Sequence, residues 1–332
     1  MSTTAKMKAA LVETNDGPFR IVEISRPEPR RGQVLVRIHA SGVNPLDTKI
    51  RAGAAAHARH PLPAILGLDL AGTVASVGEG VGEFRVDDEV YGLTGGVGGR
   101  QGSLAEYAAV DARLLAAKPS NISMKEAAAI PLVFITAWEG LVDRANVNSG
   151  MKVLVQGGGG GVGHMAIQIA RSFGAEVFAT DREAKGEFVR SLGATPIDFE
   201  RESVEDLVGR YTAGRGFDLV YDTGGGKVLD ASFAAVKRFG HVVSCLGWGQ
   251  HILAPLSFQA ATYSGVFTLL PLLTGEGREH HGEIMREATK LVAAGKLHPA
   301  LDKRRFSLDT VEKAHAAVSA GGTSGKVVVE IG

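Results

Sequence analysis

The stretch Lys152-Val-Leu-Val-Gln-Gly-Gly-Gly-Gly-Gly-Val-Gly-His164 decides the fold. Lys152 to Gln156 is a short run rich in β-branched and apolar residues, which predicts a strand. His164 to Phe173 reads as a helix, and between the two lie Gly157 to Gly161, Val162 and Gly163. Gly158, Gly160 and Gly163 satisfy G-x-G-x-x-G between a strand and a helix, the context this motif requires. Glycines there let the backbone turn tightly and approach a pyrophosphate. The N-terminus of the helix supplies N–H donors and a partial positive charge, and Gly158, Gly160, Gly161, Val162 and Gly163 are the cofactor-binding candidates of this turn. The plain alternative is a merely flexible loop.

Outward from this turn, strands alternate with helices. Glu176 to Thr180, a short segment at Pro196 to Asp198, Asp218 to Tyr221 and His241 to Cys245 read as buried strands. That rhythm implies an α/β domain with a doubly wound parallel sheet. The strand after the glycine turn leads into Asp181, placed where a carboxylate would hold the ribose hydroxyls of NAD. Arg182 follows directly and Lys185 lies nearby, and both could instead meet the 2′-phosphate of NADP. A helix-capping Asp181 with solvated Arg182 and Lys185 is the third possibility.

The first third is different in texture: alternating runs such as Gln33 to His39 and Gly72 to Val77, broken by glycine and proline, predict a β-rich domain. After Val266 the α/β rhythm stops. A helix at Gly282 to Ala294 and a strand at Lys326 to Ile331 read as a return to the first domain. The expected division is residues 1–125 with 268–332, and 126–267.

Bulk properties exclude several classes. There are 36 basic and 36 acidic residues in 332, so no electrostatic footprint for nucleic acid or an anionic membrane is present. The longest apolar runs are too short to span a bilayer and the N-terminus lacks a signal-like apolar region, so a cytoplasmic protein acting on small molecules is expected. The single cysteine, Cys245, excludes an internal disulfide and a multi-cysteine metal site.

Several segments together resemble the medium-chain dehydrogenase/reductase superfamily, and within it the zinc-free quinone oxidoreductase (zeta-crystallin-like) group. They are Ala40-Ser-Gly-Val-Asn-Pro-Leu-Asp47, Ile50-Arg-Ala-Gly53, Gly67-Leu-Asp69, Gly102-Ser-Leu-Ala-Glu-Tyr107 and Ile135-Thr-Ala-Trp138. The resemblance covers essentially the whole chain, in order. It implies a GroES-like β-rich catalytic domain, a Rossmann NAD(P)-binding domain that takes NADP or NAD, with NADPH favoured, and a homodimer joined through the end of the Rossmann sheet near Gly265 to Leu269. It also implies that the zinc-ligand positions of metal-dependent relatives are occupied here by Asn44, Leu68 and a residue near Leu132. Neither asparagine nor leucine is a competent zinc ligand, so no metal is expected.

Without a Lewis acid, quinones and α,β-unsaturated carbonyls are the expected hydride acceptors, because the charge they develop needs only hydrogen-bond donors. The catalytic candidates are Asn44, Asp47 and Lys49, although a tyrosine stands at the Lys49 position in many quinone reductases. Carried over in the same way, Thr136 lies beside the nicotinamide, Thr223 borders the adenosine, and Leu246, Gly247, Phe267 and Leu269 hold the carboxamide. Rival readings are a zinc-free alcohol dehydrogenase, an enoyl-thioester reductase, or a non-catalytic nucleotide-binding protein.

Overall fold

The structure, a computed structural model, describes residues 5–332; the first four residues of the expected N-terminal domain lie outside the described residues. The chain divides into two compact units, Val133–Thr268 and the remainder.

The larger unit opens with β1 (Lys6–Val12), β2 (Arg20–Ser25), β3 (Gln33–Val43), β4 (Ala64–Ile65), β5 (Asp69–Val77), β6 (Glu89–Leu93), β7 (Tyr107–Asp111) and β8 (Leu115–Ala117). The long strand β3 pairs antiparallel with both β5 and β7, and its alternating Val34, Val36 and Ile38 are fully buried. Between β3 and β4 lies α1 (Pro45–Arg51), which Pro45 starts by supplying a preset φ at the first helical position. The short helix α2 (Met124–Ala128) begins at Ser123, whose hydroxyl accepts from Glu126 N–H while the Glu126 carboxylate accepts from Ser123 N–H. It packs on β3 and β5 and so belongs with this unit.

The next helix, α3 (Pro131–Trp138), does not continue as a regular α-helix through Ala145: Glu139–Arg144 forms a π-helical turn. From there the second unit is built of β9 (Lys152–Gln156), β10 (Glu176–Asp181), β11 (Thr195–Asp198), β12 (Phe217–Asp222), β13 (Val236–Ser244) and β14 (Thr262–Gly265). All neighbouring pairs are parallel, in the order β11-β10-β9-β12-β13-β14. In sequence order this is 3-2-1-4-5-6, the doubly wound arrangement whose strand order reverses beside its first strand. The helices α4 (Gly161–Ser172), α5 (Gly186–Ser191), α6 (Val204–Thr212), α7 (Lys227–Ala235) and α8 (Ala254–Gln259) fall between strands. A core of Leu154, Phe178, Phe217, Val220, Phe233 and Val242 lies against the sheet.

The tail contributes α9 (Leu270–Thr274), α10 (Arg278–Ala293), β15 (Phe306–Ser307), α11 (Val311–Ser319) and β16 (Val327–Glu330). Strand β16 pairs antiparallel with β3, Val327 opposite Val43. This closes the tail onto the first sheet and carries Lys326 to the end of β3. Among the described residues, no helix is long and apolar enough to cross a membrane.

Candidate active site

The glycine turn follows β9 at the point of strand reversal. Gly157 has φ +75, which favours glycine, and Gly157 and Gly158 N–H both donate to Thr180 C=O (3.0 and 2.9 Å). The three motif glycines have separate reasons. A Cβ on Gly158 would lie 2.6 Å from Ala179 Cβ, and one on Gly163 would lie 2.1 Å from Gly157 O, so both are demanded by packing. A Cβ on Gly160 would meet only Gly157 O, at 3.1 Å; this position is open on its outer side. The helical ladder of α4 begins with His164 N–H donating to Gly160 C=O (3.1 Å). The N–H groups of Gly161, Val162 and Gly163 therefore have no acceptor within the helix, and an anion placed there would be held by all three. This cradle fits a pyrophosphate.

On one side of the turn, the Asp181 carboxylate accepts from Gly159 N–H (2.7 Å) and from Arg182 N–H (2.9 Å). Lys185 Nζ donates to Gly159 C=O (3.0 Å), and the Arg182 guanidinium is largely exposed, 3.4 Å from Glu200. On the other side, Thr223 hydroxyl donates to Gln156 C=O (2.6 Å). The adjacent Asp222 is fully buried and accepts from Gly224 and Gly225 N–H and from Ser244 Oγ, which shapes the turn beyond β12.

Of the remaining cofactor candidates in this unit, Leu246, Gly247 and Phe267 also follow strand ends. Leu246 and Gly247 come after β13, with Leu246 N–H donating to Ser244 Oγ (3.0 Å), and a Cβ on Gly247 would strike Tyr263 Oη at 2.1 Å. Phe267 comes after β14 and its ring meets Trp248 edge-on at 6.2 Å. Thr136, on α3, is 7% exposed and its hydroxyl lies 3.1 Å from that of Thr268. Leu269 is buried and belongs to the other unit, where it precedes α9. Cys245 offers no nucleophile: burial pushes its thiol up to about 12.

Asn44, Asp47 and Lys49 sit in the β-rich unit at the start of α1. The Asp47 carboxylate accepts from Asn44 N–H (2.8 Å), closing the helix start, while Lys49 is exposed on the same helix. The Asn44 side chain is not a surface group. Its Nδ2 donates to Asp69 Oδ2 (2.9 Å), its Oδ1 accepts from Lys326 Nζ, and it is 1% exposed. Asp69 Oδ1 further accepts from Leu132 N–H (2.8 Å), and Lys326 Nζ lies 3.8 Å from Asp69 Oδ2. Because an ammonium only donates and a carboxylate only accepts, this pair fixes which way the Asn44 amide points.

Sequence reasoning missed Asp69 and Lys326 as members of this cluster. Asp69 was visible within Gly67-Leu-Asp69, but Lys326 looked like the polar start of a strand, 282 residues from Asn44. Burial raises the pKa of Asp69 and lowers that of Lys326. Asp47, buried and with Oδ1 lacking a partner, is pushed up to about 7, first by desolvation. A carboxyl whose folded pKa is raised stabilises the fold most below its unfolded value, and that contribution is lost as pH rises toward 7. Asp47→Asn carries no such loss. The stability of the variant relative to the unsubstituted protein is therefore expected to improve between pH 4 and 8; thermal melts at both ends test this, and a constant difference would contradict it.

Of the residues expected at zinc-ligand positions, Leu68 is fully buried, and Leu132 contributes a backbone N–H to Asp69. Among the described residues, no cluster of three or more His, Cys, Asp or Glu side chains could hold a metal ion.

Comparison with known proteins agrees with both halves of this architecture. Residues 30–120 match a family profile described as an alcohol dehydrogenase GroES-like domain, and residues 192–329 one described as a zinc-binding dehydrogenase. The chain is 38% identical over 316 residues to a 2-methylene-furan-3-one reductase of Solanum lycopersicum, covering 92% of this chain and 74% of that one. It is 36% identical to an NADPH-dependent alkenal/one oxidoreductase of Arabidopsis thaliana (91% and 73% covered), and 30% identical to a human quinone oxidoreductase (92% of each). A crystal structure of an alcohol dehydrogenase superfamily protein from Novosphingobium aromaticivorans superposes with a TM-score of 0.97 at 63% identity, over 98% of this chain and 100% of that one. A glycine-rich turn on a 3-2-1-4-5-6 sheet, joined to a GroES-like unit and matched along its length by these reductases, places the chain in the medium-chain dehydrogenase/reductase superfamily of pyridine-nucleotide oxidoreductases.

Proposed function

We propose that this protein reduces α,β-unsaturated carbonyl compounds and quinones by direct hydride transfer from NADPH, without a metal. The observation that carries this is the donor set at the position of the zinc site in metal-dependent relatives: an amide locked between Asp69 and Lys326, and two leucines. Such a site offers hydrogen bonds to an oxygen that gains charge but no Lewis acid to hold an alkoxide, which favours conjugated acceptors over simple alcohols. A bound nicotinamide supplies the hydride. Asn44 and the exposed Lys49 are the donors we assign to the substrate oxygen, and Asp47 holds the loop that presents them.

The preference for NADPH rests on charge. The Asp181 carboxylate is engaged by two backbone N–H groups, whereas Arg182 is largely exposed and Lys185 stands beside it. A 2′-phosphate placed there meets two cations against one partly compensated anion. Arg182→Ala is expected to raise KM for NADPH about tenfold, the worth of one charge-assisted hydrogen bond, and to leave KM for NADH within about twofold. Equal changes for the two nucleotides would contradict the assignment.

A homodimer through the sheet edge is part of the same reading. Among the described residues strand β14 is paired only with β13, and Ile252, Leu253 and Phe258 nearby are 77%, 56% and 84% exposed. An open edge flanked by apolar side chains is a surface that a second copy would cover. A cytoplasmic location accords with a chain holding one cysteine, a free thiol. Steady-state oxidation of NADPH and NADH with quinones, enones and simple aldehydes, in the presence of a chelator, tests the activity. Turnover of conjugated acceptors alone is expected, and activity abolished by chelation would overturn the metal-free reading.

A further inference from the structure

The segment that follows β13 turns back on itself. Gly249 has φ +114, a backbone conformation that favours glycine, and the reversal brings His251 Nε2 to within 3.4 Å of Trp248 C=O. The other ring nitrogen, Nδ1, lies 2.8 Å from Asp230 Oδ1 on α7. Phe233, three residues further along that helix, meets the imidazole edge-on with ring centroids 6.1 Å apart. His251 therefore ties one face of α7 to the backbone directly after Gly247, and all of these residues belong to the parallel-sheet unit.

Both ring nitrogens face acceptors. A carbonyl oxygen and a carboxylate only accept, and a neutral imidazole carries a single N–H, so only the imidazolium donates to both. The hydrogen bond to Asp230 does most to raise the pKa of the ring above its ordinary value; burial opposes it, and the Trp248 carbonyl and the charges of Asp230 and Asp222 add to the rise. Of the elements around the ring, α7 carries Asp230 with Lys227 one turn earlier, β12 ends in Asp222, β14 carries Tyr263 against Phe233, and α8 has no charged side chain.

We propose that His251, as the imidazolium, is a positioning residue that latches the 246–251 segment onto α7 and holds Leu246 and Gly247 in place for the nicotinamide end of the cofactor, so that the dinucleotide binds more tightly when the ring is protonated. This rests on the reading that Leu246 and Gly247 border the nicotinamide. The latch is closed at low pH and is lost as pH rises through the pKa of the ring. Linkage requires the converse: a bound dinucleotide raises that pKa by the same factor.

The test is calorimetric titration of the full-length protein with NADPH and with 2′-phospho-ADP-ribose, which lacks the nicotinamide, at about pH 6 and about pH 9. The ratio of the two affinities cancels the titration of the 2′-phosphate they share. It is expected to fall about 5- to 10-fold from the lower to the higher pH, the low end of couplings between two sites. The buried Asp47 titrates in the same range, and His251→Gln separates the two, because a change due to Asp47 persists in that variant whereas one due to His251 disappears. Independently of affinity, the Cε1–H resonance of His251, identified by its loss in His251→Gln, is expected to titrate with a midpoint that NADPH raises by about 0.7 to 1 pH unit and 2′-phospho-ADP-ribose leaves in place. Asp230→Asn should lower the midpoint of the free protein. A ratio constant with pH, a fall that persists in His251→Gln, or a midpoint that NADPH does not move overturns the proposal and leaves the cofactor reading standing. A protein that binds neither ligand overturns the cofactor reading itself, and the proposal with it.

Discussion

Gly160→Val is expected to weaken nucleotide binding by roughly 100-fold or more while leaving the protein folded, because it blocks a phosphate from two or more charge-assisted N–H bonds worth about 1.5–3 kcal/mol each. The position permits this separation of effects. Gly160 has φ −85, which any residue adopts, and its missing Cβ would meet only Gly157 O, at 3.1 Å. The neighbouring Gly163 is the contrast. A Cβ there would lie 2.1 Å from Gly157 O and 2.8 Å from Gly157 C, both backbone atoms that cannot swing aside. Gly163→Ala should therefore cost about 3 kcal/mol of stability through overpacking. Nucleotide titration and thermal unfolding of the two variants separate ligand approach from helix–strand packing. Normal affinity in Gly160→Val would mean that the turn is not the pyrophosphate site.

Asp69→Ala is expected to destabilise the β-rich unit by about 3–5 kcal/mol, the usual cost of leaving one partner of a buried ion pair unmatched. Removing the fully buried carboxylate strands the Lys326 ammonium and takes away the acceptor of Asn44 Nδ2–H and Leu132 N–H. The double variant Asp69→Leu with Lys326→Met removes both charges, so its loss should be clearly smaller than that of Asp69→Ala. Chemical denaturation checks both. A double variant less stable than the single one would show that the charges do not compensate each other.

The parallel-sheet unit was legible in the sequence because its signals are local. Lys152 to Gln156, the glycines and His164 to Phe173 lie consecutively, and the structure gives Gly158 and Gly163 a steric reason to be glycine. The π-helical turn at Glu139–Arg144 was not legible, since Ala137 to Ala145 has an ordinary helical composition, and the close approach of the Tyr221 ring to Gly140 comes from a strand about eighty residues away. The ionic cluster was half legible. Asn44 and Asp47 are three residues apart and follow one turn, but their partners arrive on β5 and at the start of β16, and only the antiparallel pairing of β16 with β3 brings Lys326 beside Asn44.

Transfer of deuterium from the C4 position of labelled NADPH to an enone, in the presence of a chelator and followed by mass spectrometry, tests the central claim most directly. Metal-free direct hydride transfer predicts one deuterium at the β-carbon of the saturated product, with the rate unaffected by chelation. Product without label at that carbon, or a reaction that stops when metal is removed, would contradict it.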